Sequence, residues 1–204
     1  MTDTRDNKTY KTVKIDDQVW MAENLNYDYN KGTAKSYCYD DIEANCEVTG
    51  RLYTWAAAID SVALANDADN PQTCGDGKTC TLPTVVQGVC PSGWHLPSYD
   101  EWRTLFTAVG GSSKAGTALK SQTGWKSKTG DAADRDAYGF SALPAGFRHN
   151  GVNYTNAGYD ADFWSASGYD SYDAYSMYLY YDGEYVNMFI DIKNYGFSVR
   201  CLQN

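Results

Sequence analysis

The stretch SMYLYYDGEYVNMFIDI, residues 176–192, has the pattern of a β-hairpin. Asp182-Gly183 is a strong signal for a two-residue hairpin turn, and the residues on both sides of it alternate with period two. With a turn of that length, Tyr181 pairs with Glu184 and the register of both strands is fixed. An antiparallel hairpin is therefore expected near the end of the sequence.

This register sorts the hairpin side chains onto two faces, because successive side chains of a strand point to opposite sides. The expected core face carries Leu179 beside Val186, Met177 beside Met188 and Tyr175 beside Ile190. The opposite face carries Tyr180 beside Tyr185, Tyr178 beside Asn187 and Ser176 beside Phe189. Tyrosine combines a large contact area with a hydroxyl group and few rotatable bonds, so the second face is typical of a binding surface.

The segment before the hairpin, SASGYDSYDAY at residues 165–175, has a related composition. Loops of Ser, Gly, Tyr and Asp supply adaptable polar contacts and aromatic anchors. The alternative is that the aromatic residues only stabilise the sheet, at about 0.2–1 kcal/mol for each cross-strand pair, or lie beneath another layer. The predicted ligand-binding residues are Tyr169, Tyr172, Tyr178, Tyr180, Tyr185, Asn187 and Phe189.

Length and charge limit the class of protein. The 204 residues, 43% of them hydrophobic, fit a single domain over residues 1–204 that can bury a core. The formal net charge of −9 argues against nucleic acid as a partner, because binding to phosphates needs clustered Lys and Arg. No run is long enough to cross a membrane, and the N-terminal residues lack the apolar core of a signal peptide.

Six cysteines suggest a disulfide framework. Two pairs of cysteines lie close enough in sequence to close short local loops, and the remaining two cysteines are then expected to pair with each other. Such a framework implies an extracellular or cell-surface location, with a leader already removed. The alternatives are buried free thiols in a cytosolic protein and a zinc site, which the lack of any C-x-x-C spacing disfavours. The predicted pairs are Cys38–Cys46, Cys74–Cys80 and Cys90–Cys201.

Local patterns predict an N-terminal hairpin and a first helix. Residues 10–15 alternate in polarity, residues 18–21 read QVWM, and Asp16-Asp17 provides a turn between the two short strands. Apolar spacing in LYTWAAAIDSVALA predicts one helix from about Leu52 to Ala65.

A second helix has a clear start and end. Ser98 and Glu101 form the S-x-x-E capping box at its start, and Gly110-Gly111 ends its apolar pattern. Residues 116–120 are expected to add one further turn. Strands, helix, loops, helix and strands in this order define an α+β fold.

Catalytic residues are not evident in the sequence. Nucleophilic catalysis needs a base, usually a histidine, and the chain has only His95 and His149. His95 precedes the second helix, where a structural role is favoured, and His149 lies in an expected exposed turn at residues 148–151. Neither a catalytic residue nor a cofactor is predicted.

Calcium is the one metal with candidate ligands. Two loops offer groups of oxygen ligands, yet neither group matches the spacing of an EF-hand, and solvated acidic loops are the favoured interpretation. The two groups are Asp67, Asp69 and Asn70, and Asp131, Asp134 and Asp136.

Several motifs together resemble the Fibrobacter succinogenes major paralogous domain. They are WMAENLNY at 20–27, GRLYTWAAAIDS at 50–61, CPSGWHLPSYDEW at 90–102, FTAVGGSS at 106–113, DAYGFSALPAGFR at 136–148, FWSAS at 163–167 and YGFSVRCLQN at 195–204. The resemblance implies a relative of the formylglycine-generating-enzyme-like group within the C-type lectin-like fold. In that fold two main helices flank small antiparallel sheets, and ligands contact the later strands and loops.

The activities of that group do not follow from the resemblance, because a fold does not define a function. Its oxidases use a close pair of cysteines, whereas Cys201 stands alone in the last hundred residues. Its sulfoxide synthases need three histidines, and the calcium-dependent lectins need E-P-N or Q-P-D with W-N-D, none of which the sequence contains.

The preferred hypothesis is a non-catalytic extracellular or cell-surface domain that binds carbohydrate or protein through its Tyr-rich loop and hairpin. One alternative is a variable ligand-binding protein of a diversity-generating retroelement, which the same resemblance suggests. A second alternative is an enzyme of the formylglycine-generating type with altered chemistry. A third is a structural module that packs against neighbours through an apolar patch.

Overall fold

The protein is α+β, with small antiparallel sheets and short helices. A computed structural model describes residues 1–126, 135–150 and 153–204. The strands are β1 Thr12–Ile15, β2 Gln18–Met21, β3 Asn30–Lys31, β4 Ala34–Tyr37, β5 Leu52–Tyr53, β6 Trp94–His95, β7 Phe147–His149, β8 Asn153–Thr155, β9 Asp160–Gly168, β10 Asp173–Tyr180, β11 Val186–Ile192 and β12 Leu202–Gln203. The helices are α1 Glu43–Thr49, α2 Trp55–Ala58, α3 Ser61–Ala65, α4 Tyr99–Ala108 and α5 Ser112–Leu119.

One sheet joins the first and last strands of the chain. Its order is β1-β2-β12-β6, with Leu202 of β12 placed between Trp20 of β2 and His95 of β6. The N-terminal hairpin is confirmed, since β1 and β2 pair antiparallel around the Asp16-Asp17 turn. A core of large buried side chains forms behind this sheet.

The C-terminal hairpin belongs to a second sheet of order β11-β10-β9. Its predicted register is confirmed over seven residue pairs, which include Met177 opposite Met188 and Tyr178 opposite Asn187. Strand β9 pairs with β10 on the side away from β11. The backbone of Ser198 forms hydrogen bonds with Asp162 and Trp164 at the outer edge of β9. Strand β10 therefore lies in the middle of the sheet, and β11 lies at one edge.

The prediction of a two-residue turn at Asp182-Gly183 is wrong. The ladder stops at Leu179, and the Gly183 N–H donates to the carbonyl oxygen of Tyr180 at 3.0 Å. This bond places Tyr181, together with Asp182, at the centre of the turn.

Helix α5 accounts for the altered tip. Gly116 approaches the hairpin so closely that a Cβ atom there would lie 2.3 Å from the carbonyl oxygen of Tyr185. The Thr117 N–H donates to the carbonyl of Glu184 at 3.3 Å, and the Lys120 ammonium donates to two carbonyl oxygens of the turn at 2.5 Å. These contacts hold residues 184 and 185 against the helix. The predicted pairs that are absent from the ladder are Tyr181–Glu184 and Tyr180–Tyr185.

Helices α4 and α5 cover one face of the β9–β10–β11 sheet. Their apolar side chains are fully buried against the side chains that β9, β10 and β11 direct toward them. The inward orientation predicted for the residues nearest the turn is therefore confirmed. The packed residues are Trp102, Leu105, Phe106 and Leu119 from the helices and Phe163, Met177, Leu179 and Val186 from the sheet.

The predicted capping box begins α4. Ser98 Oγ accepts the Glu101 N–H at 3.3 Å, and Glu101 Oε2 accepts the Ser98 N–H at 2.7 Å. Gly110 and Gly111 end the helix with positive φ angles of 100° and 90°, which glycine adopts without a steric cost. The segment expected to add one turn at residues 116–120 belongs to the longer helix α5.

The single helix predicted from Leu52 to Ala65 is wrong. Residues 52 and 53 form β5 because they pair with β4, and the Tyr53 N–H also donates to the carbonyl of Phe197 at 2.7 Å. Thr54 is the N-cap of α2. Asp60 has the left-handed conformation, with φ of 47°, and is the N-cap of α3, so the chain is not one continuous helix here. The second main helix is therefore α5.

The three predicted disulfides are confirmed as Cys38–Cys46, Cys74–Cys80 and Cys90–Cys201. The last of these joins chain positions 111 residues apart, and both of its cysteines are fully buried. Across the described residues, no helix is both long enough and apolar enough to span a bilayer.

Candidate functional site

The face of the β9–β10–β11 sheet opposite the helices carries an aromatic patch, formed by Tyr178, Tyr180 and Phe189. Tyr178 and Tyr180 stack along β10 at a centroid distance of 6.2 Å, and Phe189 of β11 meets Tyr178 edge-on at 5.1 Å. Phe189 keeps 45% of its surface exposed, the two tyrosines are half-buried, and Asn187 is exposed opposite Tyr178. The predicted exposure of this face is therefore present in part, because Ser176, which was predicted to lie on it beside Phe189, is fully buried.

The predicted core face is covered only near the turn. Ile190 is 45% exposed and Tyr175 is half-buried, so the expectation that this pair lies in the core is wrong. Tyr175 instead contacts Tyr99, the first residue of α4, at 4.7 Å. Helix α4 begins at this level of the sheet and leaves the outer end of β11 uncovered.

The remaining predicted tyrosines lie away from the patch. Tyr185, 48% exposed, is at the hairpin tip beside Gly183. Tyr169 meets Tyr175 at 5.7 Å, on the helix side of the sheet, and the Tyr172 ring lies near Gly77 in the loop that Cys74–Cys80 closes. The loop and the hairpin thus do not form one continuous surface.

Tyr169 borders a cavity of about 280 Å³ that Trp55 and Ser98 also line. The cation in this cavity already has partners. Lys193 Nζ donates to the carbonyls of Lys78 and Asp170 at 3.1 and 2.5 Å, and lies 4.6 Å from the centroid of the Trp55 ring.

Three carboxylates on the same face of the sheet flank the aromatic patch and are here called the acidic row: Asp160 and Asp162 lie on β9, and Asp191 lies on β11. Asp160 and Asp162 alternate with Ala161 and Phe163 along β9, and Asp162 lies directly opposite Tyr178. Because of this register, both carboxylates share the face of the aromatic patch.

The three carboxylates differ in their partners. Asp191 accepts the Ser176 hydroxyl at 2.5 Å, and Asp160 accepts the Tyr178 hydroxyl at 3.3 Å. Asp162 is only 4% exposed, and its Oδ2 atom has no hydrogen-bond partner within the described residues. A buried polar atom without a partner is rare and costs stability.

Burial dominates the electrostatics of the acidic row. It raises the pKa of Asp162 well above the usual range, and the charges of Asp160 and Asp191 raise it further. Burial also raises the pKa values of Asp160 and Asp191, against the lowering effect of their hydrogen bonds. Burial, followed by the charges of Asp160 and Asp162, raises the pKa of Tyr178. None of the ion pairs found among the described residues involves these three carboxylates.

A second group of aromatic rings borders the acidic row. Tyr195 meets Phe147 of β7 at 5.9 Å and His149 at 4.9 Å, and burial and the charges of Asp191 and Asp173 raise its pKa. The exposed turn expected at His149 is therefore wrong, because His149 is half-buried at the end of a strand.

The cation nearest in sequence to this second group is directed elsewhere. Arg148 alternates with Phe147 and His149 along β7, and its guanidinium stacks 3.8 Å from the centroid of the Tyr37 ring. Arg148 therefore forms no ion pair with the acidic row.

His95 has the structural role that its position predicts. Its Nε2 atom lies 3.0 Å from Glu101 Oε1, and its Nδ1 atom lies 2.7 Å from Asn204 Oδ1. The bond to Glu101 raises the pKa of His95, and the bonds from His95 and Ser98 outweigh burial and lower the pKa of Glu101 to about 2. This pair links the start of α4 to β6.

In each candidate calcium group, a described carboxylate accepts hydrogen bonds from nearby residues. Asp67 accepts the backbone N–H groups of Asp69 and Asn70, and Asp136 accepts bonds from Ser141. Asp131 and Asp134 lie outside the described residues.

Within the ranges described, one group of three metal-ligating side chains has ligand atoms within 4.8 Å of one another. That group is Cys38, Glu43 and Cys46, and its two cysteines form a disulfide.

The acidic row was missed from the sequence, although its signal was present. Asp160 and Asp162 alternate with apolar residues in DADFWSA, which is a strand pattern with polar residues on one face. Their position relative to Tyr178 depends on the β9–β10 register. That register has a bulge near Ser176, which no local turn predicts.

The fold and the site together define a disulfide-bonded α+β protein. Its first and last strands share one sheet, and a second sheet has a partly exposed aromatic face. Residues 13–203 match the Fibrobacter succinogenes major domain, so the chain belongs to this family. The chain has no match among curated proteins or among solved structures.

Proposed function

We propose that this chain is a non-catalytic binding domain of the cell exterior and that its aromatic patch contacts the ligand. The observation that carries this proposal is the exposure of Phe189, which lies at the edge of a sheet whose other face is packed by two helices. Leaving apolar surface in water forgoes about 25 cal/mol per Å². Contact with a ligand would recover this free energy.

The composition of the patch suits two classes of ligand. Aromatic rings stack against sugar rings, and tyrosine with asparagine is typical of surfaces that bind proteins. Tyr178, Tyr180 and Asn187 combine ring faces with polar groups in this way. The ligand is therefore a carbohydrate or a protein.

Further features support the proposed fold, the proposed location and the proposal that the domain binds without catalysis. The sheet that joins β1, β2 and β12, together with α4 and α5, agrees with a C-type lectin-like fold. Three disulfides favour an oxidising extracellular or cell-surface location. Both ring nitrogens of His95 are engaged by Glu101 and Asn204, which favours binding without catalysis.

Glycan and protein arrays probed with the purified chain test this function. The double variant Tyr180→Ala/Phe189→Ala should lose at least tenfold in affinity for whatever the unmodified chain captures, or about 1.4 kcal/mol. Tyr138→Ala removes an aromatic residue that is 41% exposed elsewhere and serves as the matched control. Equal capture by the double variant and the control would contradict the proposal.

A further inference from the structure

The acidic row consists of carboxyl groups that form no ion pair with a cationic side chain among the described residues. Asp160 and Asp191 have hydroxyl donors, yet Asp162 Oδ2 has none among the described residues, and no Lys or Arg there pairs with any of the three. Carboxylates buried without a counter-charge are destabilising. A bound cation would supply the missing partner.

The spacing of the row disfavours a metal ion. Calcium needs several oxygen ligands at 2.3–2.6 Å, so the ligand atoms must lie close together. The oxygen atoms of Asp160, Asp162 and Asp191 are not among the groups of three within 4.8 Å in the part of the chain described. The row therefore suits a cation that is larger than a metal ion and has several donors.

A guanidinium group has these properties. It is planar, presents five N–H donors in a fork that matches carboxylates, and is more weakly hydrated than an ammonium group. It also stacks on aromatic rings. Such rings lie on both sides of the acidic row, at Tyr178 with Phe189 and at Tyr195 with Phe147.

We propose that the acidic row binds an arginine side chain of a protein partner, with the guanidinium paired to Asp191 and Asp162 and stacked on the neighbouring rings. Asp191 is half-buried and makes the first contact from solvent, whereas Asp162 supplies the unpartnered oxygen atom deeper in the site. The net charge of −9 attracts a basic partner over a longer range. This inference rests on the proposed function and chooses the protein class of ligand.

An NMR titration with three small probes tests the inference. The probes are N-acetyl-arginine amide, N-acetyl-citrulline amide and N-acetyl-lysine amide, which share a backbone and differ in the charge and shape of the end group. The arginine probe should give saturable shifts at the amides of Asp162, Tyr178 and Asp191. The neutral citrulline probe should bind at least tenfold more weakly, and the lysine probe should bind more weakly than the arginine probe.

Two single variants locate the site. Asp191→Asn and Asp162→Asn should each raise the Kd of the arginine probe at least tenfold. Asp17→Asn removes the same charge from an exposed turn and should leave the Kd unchanged. Asp191→Asn alters only a half-buried residue, so it stays informative if Asp162→Asn changes the fold.

The possible results separate this inference from the proposed function. Equal binding of arginine and citrulline probes, or unchanged binding by both acidic variants, would overturn the arginine site. If the arrays show glycan capture that needs Tyr180 and Phe189 but neither aspartate, the binding function stands and the arginine site falls. Loss of array binding in both sets of variants, with a basic protein as ligand, supports both.

Discussion

At the scale of single residues, Asp162 is the one carboxyl group among the described residues that has a buried oxygen atom without a hydrogen-bond partner. It places a carboxylate in the interior with one oxygen atom unpartnered, where an apolar residue of similar size would stabilise the fold. Proteins keep such costs mainly where function needs them, since activity and stability compete at functional sites. Replacement of Asp162 should therefore separate stability from binding.

Asp162→Asn should stabilise the protein at pH 7, by about 1–3 kcal/mol, because it removes a buried charge and keeps the shape. The folded-state pKa of Asp162 is raised above its usual 3.8, so the native state binds more protons than the unfolded state above pH 3.8. The stability of the unmodified chain therefore falls as the pH rises from about 4 to the raised pKa. The gain in the variant should be small at pH 4 and grow toward pH 7.

Urea unfolding at pH 4 and pH 7 measures this effect. The neighbouring groups Asp160 and Asp191 remain in the variant, and burial raises their pKa values as well, so a weaker pH dependence of the same sign should persist. Asp17→Asn should change neither curve. A variant that is less stable than the unmodified chain at pH 7 would show that the charge of Asp162 is compensated.

At the scale of elements, the success of sequence reasoning depends on how local the determining contacts are. The capping box of Ser98 and Glu101 spans four residues, so the start of α4 could be predicted. The alternation around Met177 likewise fixed which face of β10 is buried. The break in the expected helix could not be predicted, because Leu52 and Tyr53 pair with β4 and Tyr53 also contacts Phe197, 144 positions away.

The candidate site divides in the same way. The aromatic patch follows from period-two alternation and was predictable from the hairpin alone. The acidic row needs the pairing of β9 with β10, and the hairpin tip needs α5 to dock on it. Such contacts between distant segments have no signature in a single local pattern.

The docking of α5 onto the hairpin gives a prediction at this scale. Ala usually stabilises a helix relative to Gly by about 1 kcal/mol. Gly116→Ala should instead destabilise the protein by about 1–3 kcal/mol, because the added Cβ atom would lie 2.3 Å from the carbonyl oxygen of Tyr185. Thermal unfolding measures the change, and Ser113→Ala on the exposed side of α5 should be close to neutral. A stabilised Gly116→Ala variant would mean that the helix is not held this close.

At the scale of the whole molecule, the disulfides differ in what they constrain. Cys90–Cys201 closes a loop of 111 residues and holds β12 beside β6, whereas Cys74–Cys80 closes a loop of six residues. In the loop-entropy description, a cross-link stabilises mainly by restricting the unfolded chain, and more so for a longer loop. Their loss should therefore have unequal effects.

Removal of the long bridge by Cys90→Ala/Cys201→Ala should lower the free energy of unfolding by about 5 kcal/mol, from loop entropy alone. The matched variant Cys74→Ala/Cys80→Ala should lose only about 2 kcal/mol. Urea unfolding of both variants under the same conditions gives the comparison. An equal or larger loss for the short loop would show that local packing, and not chain entropy, sets the value of these bridges.

All six cysteines lie outside residues 160–192, so no covalent link crosses the sheet that carries the aromatic patch. The side chains at positions 178, 180, 187 and 189 also point away from the helices that hold this sheet in place. A lineage, or a library in the laboratory, could therefore randomise these four positions together while keeping the same scaffold. The chain thus offers a platform on which new specificities can evolve without a new architecture.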